Sequence, residues 1–378
     1  MAAGLGAGLF AVGCGGHAPA AGQSGPATGS SITTPLATSF TTAAGTWAVV
    51  PMGGSPAFWQ LVILPAGGMQ WSLVTPPGVA DNGGVVAAGL PGRSVVTGFR
   101  PSQNRTFSPL ASTADGGRSW SPDLAGGALA GVPDALAAYA GGRLLALMQN
   151  GPGAGPSVLT GNGSGRVWSA LTDQRSLAGS LAGARCGIRA LTAVAFSQQG
   201  APLIGASCDR PGTVGIFAHG GDGWHLAGPL LPVAGTAPEV VRLRTNAAIT
   251  TSVLSVGTGP AAALLAAWTS DNGAHWAVST MLLLNSERLA ASGFGAGGAV
   301  WVLLSGGQAE TLVGPGASWR ALPTAPAATA ALAFRPGGGI EALTAHDTKL
   351  GDWQVSADYS TWNKVRTINV PIQYGSSG

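Results

Sequence analysis

The sequence is poor in charge, and in lysine above all. Asp, Glu, Lys and Arg together make up 9% of its 378 residues, and Lys349 and Lys364 are the only lysines. The formal charge is +3, and no cluster of Lys and Arg with interleaved aromatics appears. A nucleic-acid partner is therefore not expected, although the pI is about 9.0. No segment offers eighteen apolar residues in a row, which excludes a membrane-spanning helix. Few stretches of twelve residues escape Gly or Pro, so long helices are excluded too. The five His are scattered, and only His346-Asp347 brings a His beside a carboxylate; adjacent strand residues face opposite ways. Neither a metal nor a cofactor is expected. A G-x-S-x-G elbow is missing, and Gly4-Leu5-Gly6-Ala7-Gly8 sits in an apolar leader, where it is no phosphate loop.

What the chain does have is 62 Gly, 26 Pro and 46% hydrophobic residues. Short apolar runs cut at regular spacing by Gly and Pro are the pattern of an all-β protein with a buried core. The length allows one large domain or two ordinary ones.

Residues 1–13 are apolar and end in small residues before Cys14. The stretch Ala11-Val12-Gly13-Cys14-Gly15-Gly16 resembles a bacterial lipobox, which implies a signal peptide over 1–13 and a lipidated Cys14. Two features depart from that pattern: Ala11 stands where Leu is usual, and no Lys or Arg precedes the apolar run. A start codon set too far downstream accounts for the second. An ordinary cleaved signal with an incidental Cys is the alternative. Acyl chains on Cys14 anchor by burying methylenes, each worth about 0.8 kcal/mol. The Ala/Gly/Ser/Thr/Pro-rich stretch 14–44 carries no Asp, Glu, Lys or Arg and reads as a flexible tether. The resulting expectation is a monomer outside the cytoplasmic membrane, lipid-anchored or else secreted. Cys186 and Cys208 bracket a hairpin expected from Ala190–Phe196 and Pro202–Cys208, which brings them close enough for a disulfide.

A repeat emerges from the tryptophans. Trp71, Trp120, Trp168, Trp224, Trp276, Trp319 and Trp362 each follow turn residues and open a short strand, at intervals of 43–56 residues. That period fits one four-stranded propeller blade. Before Trp168, strands are expected at 135–139, 143–148 and 157–160; before Trp319, at 289–294, 299–304 and 310–313. The expected fold is an all-β, seven-bladed propeller of antiparallel four-stranded blades over 45–378. The first blade starts near Ser39, its remaining strand comes from either terminus, and Val370–Tyr374 is a candidate for closing the ring.

Thr113-Ala114-Asp115-Gly116-Gly117-Arg118-Ser119-Trp120 matches the Asp-box pattern [ST]-x-D-x-G-x-[ST]-W in full. Thr269–Trp276, with Asp271 and Gly273, departs only in having His275 for Ser or Thr. Ser356–Trp362, with Asp358, is one residue short and lacks the Gly, and Gly220–Trp224 keeps only Asp222 and Trp224. The chain thus resembles the Asp-box (BNR-repeat) propellers, an architecture shared by sialidases, related glycosidases and photosystem assembly-factor-like proteins. The boxes themselves read as fold determinants, the Asp accepting turn N–H groups and Gly supplying positive φ.

The sialidase-like resemblance implies three Arg on a substrate carboxylate, a Tyr nucleophile paired with Glu, and an Asp acid. Of Tyr139, Tyr359 and Tyr374, only Tyr139 falls on an expected inner strand. Gly98-Phe99-Arg100-Pro101 faintly resembles the Phe-Arg-Ile-Pro motif of sialidases, but Phe334-Arg335-Pro336 repeats the tripeptide and suggests a turn element. Asp81, Asp123, Asp134, Asp173, Asp209, Glu239, Glu287 and Asp347 are the loop acids available to a two-carboxylate hydrolase. The loops joining blades, and those between second and third strands, share one face of a propeller. That face would gather Arg100, Arg105, Arg175, Arg210, Arg242 and Arg288 as a candidate ligand face, with Arg185, Asp209, Glu287 and His346 nearby. Two functions follow: a non-enzymatic binding or scaffolding lipoprotein for a protein or glycan, or a sialidase-like glycoside hydrolase.

Overall fold

The computed structural model describes residues 38–369 except 53–57, 77–84, 91, 93, 100–109, 122–128, 130–131, 150–154, 162–166, 233–236, 247, 328, 336–337 and 346–349. Cys14, Asp81, Arg100, Arg105, Asp123, His346, Asp347 and the candidate closing strand Val370–Tyr374 lie outside the described residues.

The described strands form antiparallel meanders in chain order. The first sheet is β1 (Thr38–Thr42), β2 (Gly45–Met52), β3 (Phe58–Pro65) and β4 (Ser72–Leu73). The second holds β5 (Val85–Gly89), β6 (Val95–Phe99) and β7 (Leu110–Thr113), with a single bridge from Ser112 to Ser121 where a fourth strand would run. The third is β8 (Ala135–Tyr139), β9 (Arg143–Met148), β10 (Ser157–Gly161) and β11 (Trp168–Asp173). One long sheet follows, made of two meanders. Its first is β12 (Ile188–Phe196), β13 (Pro202–Cys208), β14 (Gly215–Gly220) and β15 (Gly223–Leu226). Its second is β16 (Glu239–Asn246), β17 (Ile249–Val256) and β18 (Ala263–Thr269), with β19 (Ala277–Val278) and β20 (Leu282–Leu283) both on the outer edge of β18. A single residue pair, Ser207 with Glu239, joins the two. The last two sheets are β21 (Leu289–Phe294), β22 (Val300–Leu304), β23 (Ala309–Leu312), β24 (Arg320–Ala321) and β25 (Thr329–Phe334), β26 (Ile340–Ala345), β27 (Leu350–Ser356), β28 (Asn363–Asn369).

The core lies between sheets. Middle strands such as β22, with sequence VWVLL, are buried at every residue, because each sheet is covered on both faces. One apolar cluster joins the first and second sheets through Trp47, Ile63, Val95 and Ala111. Another joins the second and third through Val96, Leu110 and Leu144. The series continues around the chain, and the last cluster packs Leu332 and Trp353 of the final sheet against Ala48, Val62 and Trp71 of the first. Sheets stacked face to face in chain order, the last against the first, make a β-propeller.

β1 sets two boundaries. It falls inside the stretch read as tether, and it completes the first sheet from the N-terminal side. The physical reason is Phe40, buried at 4% exposure and stacked on Trp47, whose indole N–H donates to Thr42 Oγ1 at 3.0 Å. Two six-residue helices, α1 (Gln174–Gly179) and α2 (Leu181–Cys186), interrupt the connection from β11 to β12. Asp173 and Ser180 cap them by accepting the N–H groups of Ser176 and Gly183. No helix among the described residues is long and apolar enough to cross a membrane.

Candidate functional site

Three turns between third and fourth strands are built alike. In the turn after β7, Asp115 Oδ1 accepts the N–H groups of Arg118 and Ser119 at 3.0 Å each, and Oδ2 accepts the Ser119 hydroxyl at 2.6 Å. Thr113 Oγ1 donates to the same carboxylate at 2.8 Å and accepts from Gly117 N at 2.9 Å. After β18, Asp271 Oδ1 takes the His275 N–H at 2.9 Å, and His275 Nδ1 lies 2.7 Å from Oδ2, in the place of the Ser hydroxyl. After β27, Asp358 holds Ser360 N, Thr361 N and the Thr361 hydroxyl at 2.7–2.9 Å. The shorter turn there is accommodated by Tyr359 at φ 64°. These donors hold Asp115 and Asp358 well below the usual carboxylate range, and the backbone and side chain of His275 lower Asp271 to about 2. At Gly273, φ is 93° and a Cβ would come within 2.6 Å of Ala227 O, so conformation and close approach both demand glycine. Gly116 also has positive φ, at 78°.

Asp222 does not belong with these three. β14 and β15 close through Gly221 and Asp222 alone, with Gly220 paired to Gly223. A two-residue turn has no backbone loop to wrap around the carboxylate, and Asp222 has no hydrogen bond among the described residues. Trp224 instead meets the His219 ring edge-on at 4.9 Å.

The recurring tryptophans link sheets as well as filling gaps. Trp276 Nε1 donates to Ala227 O at 2.7 Å and Trp319 Nε1 to Thr280 O at 3.0 Å, each acceptor lying at the outer edge of the preceding meander. Trp71 Nε1 donates to Glu341 Oε2 at 3.2 Å, from the first sheet to the last. Glu341, 4% exposed, also accepts Trp353 Nε1 at 2.9 Å and faces Arg335 Nε at 3.3 Å. Arg335, from the repeated Phe-Arg-Pro tripeptide, therefore has a structural partner. Burial pushes Glu341 above its ordinary value, against the pull of the two indoles and Arg335. Cys186 at the end of α2 and Cys208 at the end of β13 form a disulfide, with Ile188 paired to Cys208 across the expected hairpin.

A cavity of about 700 Å³ lies where the inner strands converge. Ala43, Gly92, Ala140 and Gln198 place its rim at the turns between first and second strands. In an antiparallel meander those turns share an end with the Asp turns, opposite the loops that join sheets. The cavity rim therefore lies at the end opposite the joining loops on which the candidate ligand face was expected. Of the six candidate Arg, Arg242 of β16 lines this cavity. Arg175, on α1, lines a separate surface cavity of about 780 Å³ beside β10 and β11, and the exposed Arg210 and Arg288 line neither. Arg244 is the residue that sequence reasoning missed. In Glu239–Asn246, Arg242, Arg244 and Asn246 alternate with Leu243 and Thr245, and that period of two puts both guanidinium stems on one face of an inner strand.

Arg242 Nε donates to Ser292 Oγ at 3.4 Å. Arg244 crosses to β1, where Nη1 lies 3.4 Å from Ser39 O and the guanidinium sits 5.7 Å from the Phe40 ring centre. Desolvation lowers both to about 10, so both stay cationic at neutral pH. Tyr139 lines the same wall, donates its hydroxyl to Gln198 O at 2.7 Å and packs under Arg143 at 4.6 Å. No Asp or Glu lines the cavity among the described residues. Four of the loop acids are engaged elsewhere: Asp134 accepts Gln149 N, Asp173 caps α1, Asp209 pairs with Arg189 and Glu287 accepts the Ser305 hydroxyl. No group of three His, Cys, Asp or Glu with metal-binding geometry exists among the described residues.

No protein-family model matches the chain, and no curated protein matches it. Among solved structures it is similar to YCF48 bound to D1 peptide, with 17% identity, 82% of this chain and 89% of that chain covered, and a TM-score of 0.46. It is similar to YCF48 from Cyanidioschyzon merolae at 14% identity, covering 88% and 96%, with a TM-score of 0.48. An ancestral GH74 enzyme gives 14% identity and a TM-score of 0.48; the match covers 90% of this chain and 48% of the enzyme.

Proposed function

We propose that the chain is a monomeric lipoprotein, anchored through Cys14 outside the cytoplasmic membrane, whose seven-bladed Asp-box propeller is a non-enzymatic binding module for a protein or glycan. Seven blades follow if the long sheet is divided at its single Ser207–Glu239 pair, which matches the seven evenly spaced tryptophans. The carboxylate-centred turns at Asp115, Asp271 and Asp358 support the Asp-box reading.

One observation carries the choice of binder over hydrolase. Among the described residues the cavity offers cations, aromatic rings and hydroxyls, and none of the carboxylates needed to protonate a leaving group or to activate the Tyr139 hydroxyl. The sialidase-like reading requires a Tyr–Glu pair, and Tyr139 donates to a backbone carbonyl instead. Turnover of a fluorogenic sialoside by the purified protein, lost in Tyr139→Phe, would overturn the binding reading. Cys14→Ser is expected to move the protein from the membrane fraction to the soluble fraction. Unchanged fractionation would remove the anchor.

A further inference from the structure

We infer that a patch built from Leu181, Arg185, Arg210 and Leu230, on the end where sheets are joined, docks on a lipid surface bearing anionic headgroups. The inference goes beyond the binding-module reading and rests on it for one point, that the chain is held at a membrane. The helical insertion between β11 and β12 supplies the first half of the patch. Residues 174–208 carry three Arg and no Asp, Glu or Lys. Leu181 and Arg185 stand four apart on α2 and so share one of its faces. Both are exposed, Leu181 at 75%. The second half lies beside it. Arg210 N donates to Cys186 O at 3.1 Å, which ties the turn between β13 and β14 to the end of α2. Leu230, 79% exposed, is bridged to Thr213 of the same turn, and α2 packs against β15 just before it. Asp209, the acid next to Arg210, is met by Arg189 at 3.1 Å, whereas Arg185 and Arg210 make no ion pair among the described residues.

Position, charge and side-chain type choose a bilayer as the occupant. β1 runs from Thr38 toward the turns that rim the axial cavity, so Thr38 lies at the same end as the patch. The stretch that carries Cys14 therefore joins the propeller on this side. The opposite end also exposes apolar side chains, Met69, Val167 and Val313. Those share their end with the ionised Asp115, Asp271 and Asp358, which anionic headgroups repel. Exposed leucine beside arginine suits an interface: the leucine enters the boundary between headgroups and acyl chains, while the guanidinium stays with the phosphates. Attraction of the arginines to an anionic surface falls off within a Debye length. Two arginines and two leucines hold weakly and reversibly, so the patch orients a protein that a lipid already retains.

The test is co-sedimentation of the full chain carrying Cys14→Ser, so that no acyl chain contributes, with vesicles at low salt and millimolar lipid. One set is phosphatidylcholine alone and the other contains about a third phosphatidylglycerol, whose headgroup is anionic. Binding to the second set and not to the first is expected, and about 0.5 M salt should abolish it. Arg185→Gln with Arg210→Gln should weaken binding about 30-fold, and Leu181→Ser with Leu230→Ser about tenfold. All four side chains are exposed, so melting temperatures should stay level, and if one pair does not fold the other still decides. Met69→Ser with Val313→Ser, on the opposite end, should bind as before. No binding to the anionic vesicles, equal binding to both sets, binding undiminished in either patch pair, or an equal loss in the opposite-end pair overturns the docking surface. Release of Cys14→Ser from cell membranes without vesicle binding removes the surface and leaves the anchor standing. Retention of Cys14→Ser in salt-washed membranes, with vesicle binding as expected, removes the anchor and leaves the surface.

Discussion

Replacing Glu341 tests whether the propeller is closed by a buried carboxylate. Its Oε2 accepts two indole N–H groups, Trp71 from the first sheet at 3.2 Å and Trp353 from its own at 2.9 Å, at a site 4% exposed. Hydrogen bonds to a charged group contribute about 1.5–3 kcal/mol each. Glu341→Ala strands both donors and opens a cavity, so about 3–5 kcal/mol should be lost. That is a large share of the roughly 5–15 kcal/mol by which folded domains are stable. Glu341→Gln keeps an oxygen for the indoles and gives up the ionic contact with the 41%-exposed Arg335 side chain, worth about 0–1 kcal/mol. The two variants should therefore differ several-fold in cost. The pH dependence has a definite sign. Because the folded state raises the carboxyl's pKa, the folded form binds the proton more tightly than the unfolded form. This group's contribution is full below the unfolded value near 4.5 and declines as pH rises through the raised folded value. Wild type should gain on the Gln variant as pH is lowered across that window. Urea unfolding followed by tryptophan fluorescence reads both effects. An Ala variant no less stable than the Gln variant would refute the argument.

The Asp turns should show the opposite sign. Asp271 is lowered to about 2 by its donors, so its stabilisation is present above the unfolded value of 3.8 and fades as pH falls toward 2. Asp271→Ala should therefore flatten acid unfolding, whereas Asp222→Ala should leave the melting curve unchanged; equal effects would dissolve the distinction between the two turns. Paired Cys186→Ser and Cys208→Ser substitutions open a loop spanning 22 residues and should lower stability by about 3 kcal/mol, as measured by denaturant midpoint.

Which features were legible in the sequence follows from their physics. The tryptophan spacing is legible because each of these indoles stands at the entry to its meander's outer strand, and one meander takes 43–56 residues. The strands at 135–139, 143–148 and 289–294 were equally plain, being apolar runs bounded by Gly turns. β1 is legible only as a blade start near Ser39 with a strand from either terminus, because TSFTT has one large apolar residue, Phe40, whose surroundings come from Trp47 and from Arg244 across the axis. α1 and α2 escaped because QRSLAG and LAGARC contain Gly and span one or two turns; caps and the disulfide hold them more than propensity does. Asp222 misled because Gly-Asp-Gly-Trp is shared by a carboxylate-centred loop and a two-residue hairpin, which only the register distinguishes.

The buried Glu341 and the partly buried Arg244 are held on different principles. Glu341 is met by Trp71, Trp353 and Arg335, whose donors converge on its two oxygens, and it joins the first sheet to the last. A carboxylate so fully answered is structural, and its removal should appear as lost stability. Arg244 has a single long hydrogen bond and a ring beneath it, although a guanidinium carries five donors. Its wall belongs to a cavity rather than to a packed seam. The asymmetry between the two sites is the reason to expect Glu341→Ala to lose stability in unfolding experiments and Arg244→Met to lose little.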